Sequence, residues 1–493
     1  MKRWLHPPAG LLAVALAFPG TGLLAQAGVS AQMEEWYAQA RQRAPGTWGV
    51  VVATQPGEGL CAVNTSRPLI PASTVKVLTT GFARSVVGAA ARKATRVVGS
   101  GGVDPTDGTW KGSWALELNG DPTLERPDVA GPTLQSLADQ LRAIGVRTLV
   151  GPLALTTEEG QPPAAYPAAW SPRHRGRYYA PPVGPVALNE NLVAFSVAPG
   201  SRAGNKAILA ADMPTGIGRL VTIEATTVSG SRNRLRVSPR GDGWVVTGTI
   251  GTRAGSRRYT FVAHDPTAVV EATWAAALDR AGIAWHRVAS VGPRDKRYTR
   301  VMAEVVSPVF DSVAHEINSR SVNIGAELML LWGGGPERPA ARLEQHVREV
   351  TGLDDIRLVD GSGLSDNDRV APLVFTSYLA NFPRTVAGRD FPLLLPANGK
   401  GTLRSLATGL PEPGVVRAKT GSLGNVSTLV GYLGKHDGML LIAAMYNGGH
   451  TSSARQAQWE LFRTLGADGV AIPSSADLDG DYTLGGAPVL TGR

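Results

Sequence analysis

The chain has one cysteine, Cys61, in 493 residues. No intrachain disulfide can form, so the fold must rest on its apolar core, and no cysteine-rich metal cluster is open to it. The flanking Gly59-Leu60-Cys61-Ala62-Val63 reads as a buried strand, which makes the thiol a packing group. Long basic runs are missing too. Lysine and arginine outnumber aspartate and glutamate by 49 to 40, a net charge of +9, but the cations are scattered. The densest stretch is Arg173-His174-Arg175-Gly176-Arg177. It lacks the aromatic interleaving and zinc-finger spacing of nucleic-acid readers, so no nucleic-acid partner is expected. An anionic wall polymer or membrane surface suits the charge better.

No stretch after the N-terminus reaches the ~20 consecutive apolar residues of a membrane span. The N-terminus carries Lys2 and Arg3, then the apolar run Leu11 to Phe18, then the small-residue site Ala25-Gln26-Ala27. This order is that of a secretory signal peptide, expected over residues 1–27. The mature chain is therefore expected to be exported, to the periplasm or beyond, with no transmembrane span and with wall or membrane association left open. A hydrophobic content of 43% and a charged content of 18% are those of a globular protein, and the length allows two or three domains. No internal repeat is present.

Along the chain, residues 32–43 read as a short helix. Thr47 to Ala53 and Leu60 to Val63 read as a strand pair joined by a turn at Gln55 to Gly59. From Arg92 to Pro293 short β-like runs alternate with Gly and Pro, as in Trp114–Leu118, Arg219–Ile223 and Trp244–Ile250. Two helices are expected among them. Pro132 to Ile144 has apolar residues at Leu134, Leu137, Leu141 and Ile144 and stops at Gly145, and Asp265-Pro266 supplies a cap and a first-turn proline for a helix ending near Gly282. Ser307-Pro308 reads as another helix start, with Val309, Val313 and Ile317 along one face. Arg417–Thr420, Thr428–Leu433 and Met439–Tyr446 read as strands, Ser453–Leu465 as a closing helix, and the tail after Ala467 as loosely attached.

Ser73 is the one serine with a lysine at i+3, in Pro71-Ala72-Ser73-Thr74-Val75-Lys76. On a helix the two side chains share a face and can share a proton, and a helix N-terminus favours the negative charge of an attacking serine. Such a pair needs a grip on substrate, a relay and an oxyanion hole. Lys419-Thr420-Gly421-Ser422 offers a cation and two hydroxyls for a carboxylate, with a glycine that lets a substrate backbone lie close. The backbone N–H groups of Ser73 and Ser422 are the candidate oxyanion hole. Ser-x-Asn occurs at Ser231-Arg232-Asn233, Ser321-Val322-Asn323 and Ser365-Asp366-Asn367. Ser321 and Asn323 are chosen as the relay because they lie between an amphipathic helix and the apolar run Leu328 to Trp332. Other schemes fail. His315-Glu316 has Ser319 where a zincin helix needs its second histidine, and no serine has the Gly-x-Ser-x-Gly elbow.

Ser-x-x-Lys, Ser-x-Asn and Lys-Thr-Gly in this order resemble the motif set of penicillin-binding proteins and serine β-lactamases. Further stretches are similar to class C low-molecular-mass penicillin-binding proteins, the D-alanyl-D-alanine carboxypeptidase/endopeptidases of the DacB type. They are Gly120-Asp121-Pro122-Thr123-Leu124, Tyr179-Ala180-Pro181 with Asn189-Glu190-Asn191, Asp360-Gly361-Ser362-Gly363-Leu364-Ser365, and Gly401-Thr402-Leu403. The long interval between Ser73 and Ser321 fits that family, which inserts extra domains there. Two stretches depart from it. Trp170 runs into the basic stretch where relatives carry a nearby Asp, and Pro182-Val183-Gly184-Pro185-Val186 replaces a Pro-Val-Ser-Ala-Leu run. Both departures bear on side-chain specificity.

The resemblance implies an α/β (α+β) fold: a transpeptidase-like catalytic domain, residues 28–91 and 294–470, split by an inserted α+β region, 92–293, of two subdomains, with 471–493 as tail. It implies a serine D-alanyl-D-alanine carboxypeptidase, with or without endopeptidase activity, acting on peptidoglycan peptides through an acyl-enzyme and inhibited by β-lactam antibiotics. Ser73 would attack, Lys76 take the proton, Ser321 relay it, Asn323 orient Lys76 and the substrate, and Lys419 and Thr420 hold the terminal carboxylate. No metal or cofactor is implied. A serine β-lactamase and a non-catalytic wall-binding protein are the alternatives.

Overall fold

The computed structural model describes residues 23–54, 59–129, 131–157, 164–287, 298–406, 410, 414–436 and 438–466. Most of the expected signal peptide and of the turn at 55–59, the border at 293/294 and the C-terminal tail lie outside the described residues. Helix α1 (Leu23–Arg43) leads into strands β1 (Thr47–Thr54) and β2 (Gly59–Val63), which pair antiparallel. Ser73 follows in a single 3-10 turn, Ala72–Thr74, that runs directly into α2 (Val75–Val87).

The inserted region begins with β3 (Ala94–Val103), β4 (Trp110–Glu117) and α3 (Leu134–Ala143). It continues through β5 (Leu192–Ala198), β6 (Ile208–Met213), β7 (Asn233–Arg240), β8 (Gly243–Gly251), β9 (Arg257–Val262) and α4 (Pro266–Ala281). Strand β10 (Arg300–Val306) returns along β3. Separate sheets form around β3 and β4, around β5, and around β8, and their inward faces share one core that includes Trp110, Trp114, Trp244 and Trp274. Helix ends here follow local chemistry. Asp265 accepts from the N–H groups of Thr267 and Ala268, Pro266 takes the first turn, and Gly282 closes α4 in a left-handed conformation.

The chain then forms α5 (Phe310–Arg320), α6 (Asn323–Gly334), α7 (Pro339–Thr351), α8 (Pro372–Asn381), β11 (Val416–Leu423), β12 (Val426–Lys435), β13 (Gly438–Asn447) and α9 (Thr451–Thr464). Helix α5 starts later than its proline suggests. Ser307 Oγ accepts from Lys93 N and donates to the Pro308 carbonyl, so it pins the strand junction instead of capping, and Val309 stands at the cap position. The central sheet runs β11-β12-β13-β1-β2, all antiparallel.

Alternation along β13 shows why this sheet is internal. Leu440, Ile442, Ala444 and Tyr446 pack with α1 and α9 on one face, while Met439, Leu441, Ala443 and Met445 join the helical layer on the other. With both faces covered, these strands are near-continuously apolar. Helix α2 is tied to α5 by a buried bidentate pair, with Arg84 Nε and Nη2 each 2.8 Å from an Asp311 oxygen. This pair anchors the Ser73 helix to the helix that ends at Ser321.

Cys61 is half-buried on the edge strand β2, not buried as its sequence suggests. Burial, with a smaller push from Glu34, raises its thiol to about 11, so it stays protonated near neutrality and is a poor nucleophile.

Candidate active site

Ser73 lies at the amino end of α2, half-buried, and Lys76 lies one turn on with no exposed surface. Residue Ala72, just before the serine, has φ +49, a left-handed conformation that costs an alanine energy and marks a held geometry. Lys76 Nζ is 3.0 Å from Ser73 Oγ, 2.6 Å from Asn323 Oδ1 and 2.6 Å from the Ser362 carbonyl oxygen. Burial pulls this ammonium down to about 7, against the opposing effect of Asp360, Glu327 and Asp368.

Helix α5 ends at Ser321 in a left-handed conformation, φ +62, so the chain turns and Asn323 opens α6. That corner aims the two side chains in different directions. Asn323 receives Lys76 and donates from Nδ2 to the Tyr179 carbonyl at 2.8 Å. Ser321 Oγ accepts from Lys419 Nζ at 2.9 Å.

Lys419, Thr420, Gly421 and Ser422 lie in register on β11, opposite Val430, Leu429, Thr428 and Ser427 of β12. Lys419 has no exposed surface and donates a second bond to the Thr420 carbonyl at 2.7 Å. Its proton affinity is pushed well below that of a free lysine by burial, then by Lys76 and by Arg455 of α9. Arg455 itself donates to the Gly421 carbonyl at 2.7 Å and the Ser422 hydroxyl at 3.2 Å. Gly421 is required by packing. A Cβ there would stand 2.2 Å from Thr428 Oγ1, 2.7 Å from the Pro71 carbonyl and 3.0 Å from Ser73 N. The same close approach makes the backbones at Ser73 and Ser422 neighbours.

All eight sequence-selected residues therefore meet at one place. An open cleft of about 510 Å³ is lined by Ser73, Ser321, Asn323 and Ser422, with Tyr178 and Glu190 farther along. The other two Ser-x-Asn sequences do not contribute. Asn233 begins β7 in the insertion, and Ser365 is buried in a loop where its N–H donates to Asp360. His315 is a helix residue, bonded to the Leu393 carbonyl and to Ser319.

The sequence reading missed the support behind the lysines: Glu327, Asp360, Asp368, Arg455 and Tyr179. Glu327 had a visible signal, as the one charged residue in α6. Asp360 opens the Asp-Gly-Ser-Gly stretch quoted for its resemblance. Among the described residues no cluster of His, Cys, Asp and Glu has the arrangement of a metal site.

Residues 29–464 match the D-Ala-D-Ala carboxypeptidase 3 (S13) family. The chain belongs to this family. The carboxypeptidase is 26% identical over 431 residues to a D-alanyl-D-alanine carboxypeptidase of an Actinomadura species, covering 82% of this chain and 78% of the relative. It is 28% identical over 408 residues to a carboxypeptidase of Mycobacterium tuberculosis, covering 79% and 73%. Its fold is similar to penicillin-binding protein 4 (dacB) of Haemophilus influenzae, with a TM-score of 0.68 at 20% identity over 86% of this chain and 99% of that one. A predatory endopeptidase of Bdellovibrio bacteriovorus shares the fold at a TM-score of 0.51 and 14% identity, over 86% and 95%. As a member of this family the protein is a serine-type D-Ala-D-Ala carboxypeptidase with a mixed α/β fold enlarged by an insertion.

Proposed function

We propose that Ser73 is the nucleophile of an acyl-enzyme reaction on the D-Ala-D-Ala end of peptidoglycan peptides, with Lys76 as its base. One observation carries this reading: the three neighbours of Lys76 Nζ. A neutral amine has two hydrogens and one lone pair. The Asn323 oxygen and the Ser362 carbonyl can only accept, so they take both hydrogens, and the lone pair is left for the Ser73 hydroxyl proton. A lysine near 7 is substantially neutral at working pH, which suits a general base.

As Ser73 Oγ bonds to the substrate carbonyl carbon, Lys76 takes the hydroxyl proton. The oxygen that becomes negative is stabilised by the N–H groups of Ser73 and Ser422. Ser321, bonded to Lys419, relays the proton taken by Lys76 to the departing D-alanine amine as the peptide bond breaks, which returns Lys76 to its neutral form. Asn323 orients both Lys76 and the substrate amide. The terminal carboxylate is met by Lys419 and Thr420, and water then resolves the ester. A β-lactam would acylate the same serine. No cofactor or metal has a role in this scheme.

The open cleft also suits a cross-linked peptide, so endopeptidase action is a second reading, to be separated by product analysis on purified muropeptides. The N-terminal sequence supports export before action on the wall.

The test is Ser73→Ala with a fluorescent penicillin. Complete loss of labelling is expected, and unchanged labelling removes Ser73 from the mechanism. A wild-type adduct that turns over within seconds would favour a β-lactamase.

A further inference from the structure

Lys76 depends on a carbonyl, that of Ser362, and a carbonyl in a loop points where its neighbours hold it. The residues around this loop are unusual: three carboxyl groups, Glu327, Asp360 and Asp368, with exposures of only 6%, 2% and 0%. Their oxygens take up the loop's amides. Glu327 accepts from Gly361 N at 3.1 Å and Ser362 N at 2.9 Å. Asp360 accepts from Ser362 N at 3.1 Å, Gly363 N at 2.6 Å and Ser365 N at 2.8 Å. Asp368 holds the approach to the loop through Val359 N at 2.8 Å. On the far side Gly363, at φ +74, lies so close to the nucleophile turn that a Cβ would stand 1.9 Å from the Ala72 carbonyl oxygen.

We propose that Glu327 and Asp360 are positioning residues for Lys76, holding the 360–365 loop so that the Ser362 carbonyl takes one amine hydrogen and leaves the lone pair facing Ser73. The inference rests on Lys76 as the base. The peptide is planar, so Asp360, by holding Gly363 N, fixes the Ser362 carbonyl on the opposite side, and Glu327 fixes the two peptides before it. With both carboxylates in place the carbonyl cannot rotate away, and the amine has one arrangement of hydrogens.

The same groups tune Lys76 by charge. The charged and titratable groups around it are Asp360, Glu327 and Asp368 behind the loop, and Lys419 across the cleft. Burial and Asp360 push Glu327 up to about 8, and burial with its carboxylate neighbours pushes Asp368 well above its ordinary range. Glu327 and Asp360 also line a second cavity of about 590 Å³, walled by Tyr166, Pro185, Leu331 and Arg338. Protons therefore have an approach to the carboxyl groups that does not pass Ser73.

The experiment is the pH profile of β-lactam acylation in full-length variants. Glu327→Gln keeps an acceptor for the two amides but cannot ionise. Glu327 is held at about 8 and so is largely protonated where Lys76 titrates. The neutral glutamine should keep the plateau within about threefold of wild type and move the acid limb by less than about half a pH unit. Glu327→Leu removes the acceptor, and its plateau should fall about tenfold or more at every pH, with the carbonyl released. A Glu327→Gln plateau that falls as far as that of Glu327→Leu overturns the inference, as does a Glu327→Leu plateau that matches wild type. Should Glu327→Gln not fold, Asp368→Asn, which leaves the 360–365 amides their acceptors, should keep its plateau within about threefold of wild type, and a plateau about tenfold lower would overturn the inference. Lys76→Ala run alongside separates two failures. Near wild-type rates there remove the base itself, whereas a slow Lys76→Ala beside a wild-type Glu327→Leu plateau removes only the cradle.

Discussion

Two lysines approach this cleft from opposite walls, both without exposed surface, yet their surroundings differ in sign. Lys76, on α2, is backed by Asp360, Glu327 and Asp368. Lys419, on β11, has Lys76 and Arg455 as its charged neighbours and only neutral oxygens, those of Ser321 and Thr420, as partners. Burial disfavours the ammonium at both. Carboxyl groups offset part of that at Lys76, which stays near 7, where a base could both take and return a proton. At Lys419 the basic neighbours add to the effect of burial, and the carboxylate of the proposed substrate would supply the anion that the site lacks. Under the proposed mechanism identical side chains would thus do different work because of what lies behind them, one in proton transfer and one in holding an anionic substrate.

Breaking this contrast should show first at Lys76. Lys76→Ala is expected to slow acylation by about 10²–10⁴-fold, the usual range for loss of a positioned base, with thermal stability little changed. Stopped-flow labelling checks it, and a near-normal rate would dissolve the distinction between the two lysines. Lys419→Met should lower kcat/KM about 10- to 100-fold for peptides with a free terminal carboxylate, as expected for a lost charge-assisted bond. The same variant should change an amide-terminated analogue only a few-fold, and an equal loss on both would mean that Lys419 does not read the carboxylate. Lys419→Met should also leave the melting temperature unchanged or higher, since an apolar side chain replaces a buried cation.

The smallest effect is on stability against pH. Lys76 ordinarily titrates at 10.5 and is held near 7 in the folded chain, so between those values the unfolded chain binds the extra proton. Stability from this group therefore rises with pH across that window. Lys76→Met should flatten the slope in urea unfolding; an unchanged slope would mean that Lys76 titrates normally.

Much of the candidate site was readable in the sequence because the residues that the fold brings together sit in short motifs. Ser73 and Lys76 are one helical turn apart, Ser321 and Asn323 flank a single corner, and Lys419 to Ser422 share one strand. Short apolar runs marked the central sheet, whose strands are covered on both faces. The carboxylate cradle was not legible as a unit, because Glu327 on α6 meets Asp360 and Asp368 only when the loop folds over that helix. Still, a lone glutamate in Asn-Ile-Gly-Ala-Glu-Leu-Met-Leu-Leu-Trp is a charge that must find partners. Arg455 gave no signal, as an arginine on an amphipathic helix is ordinarily solvated. Cys61 misled because apolar neighbours on an edge strand need only one covered face. Ser307 misled because its hydroxyl serves Lys93 across a strand junction.

The central claim is that Ser73 is acylated with a neutral Lys76 as its base. The most direct test is the single-turnover rate of penicillin acylation between pH 5 and pH 9, with the adduct mapped by mass spectrometry. An adduct on the peptide containing Ser73 is expected, with a rate that rises tenfold per pH unit on the acid side before levelling near 7. An adduct on another residue, or a rate flat across that range, would contradict the claim.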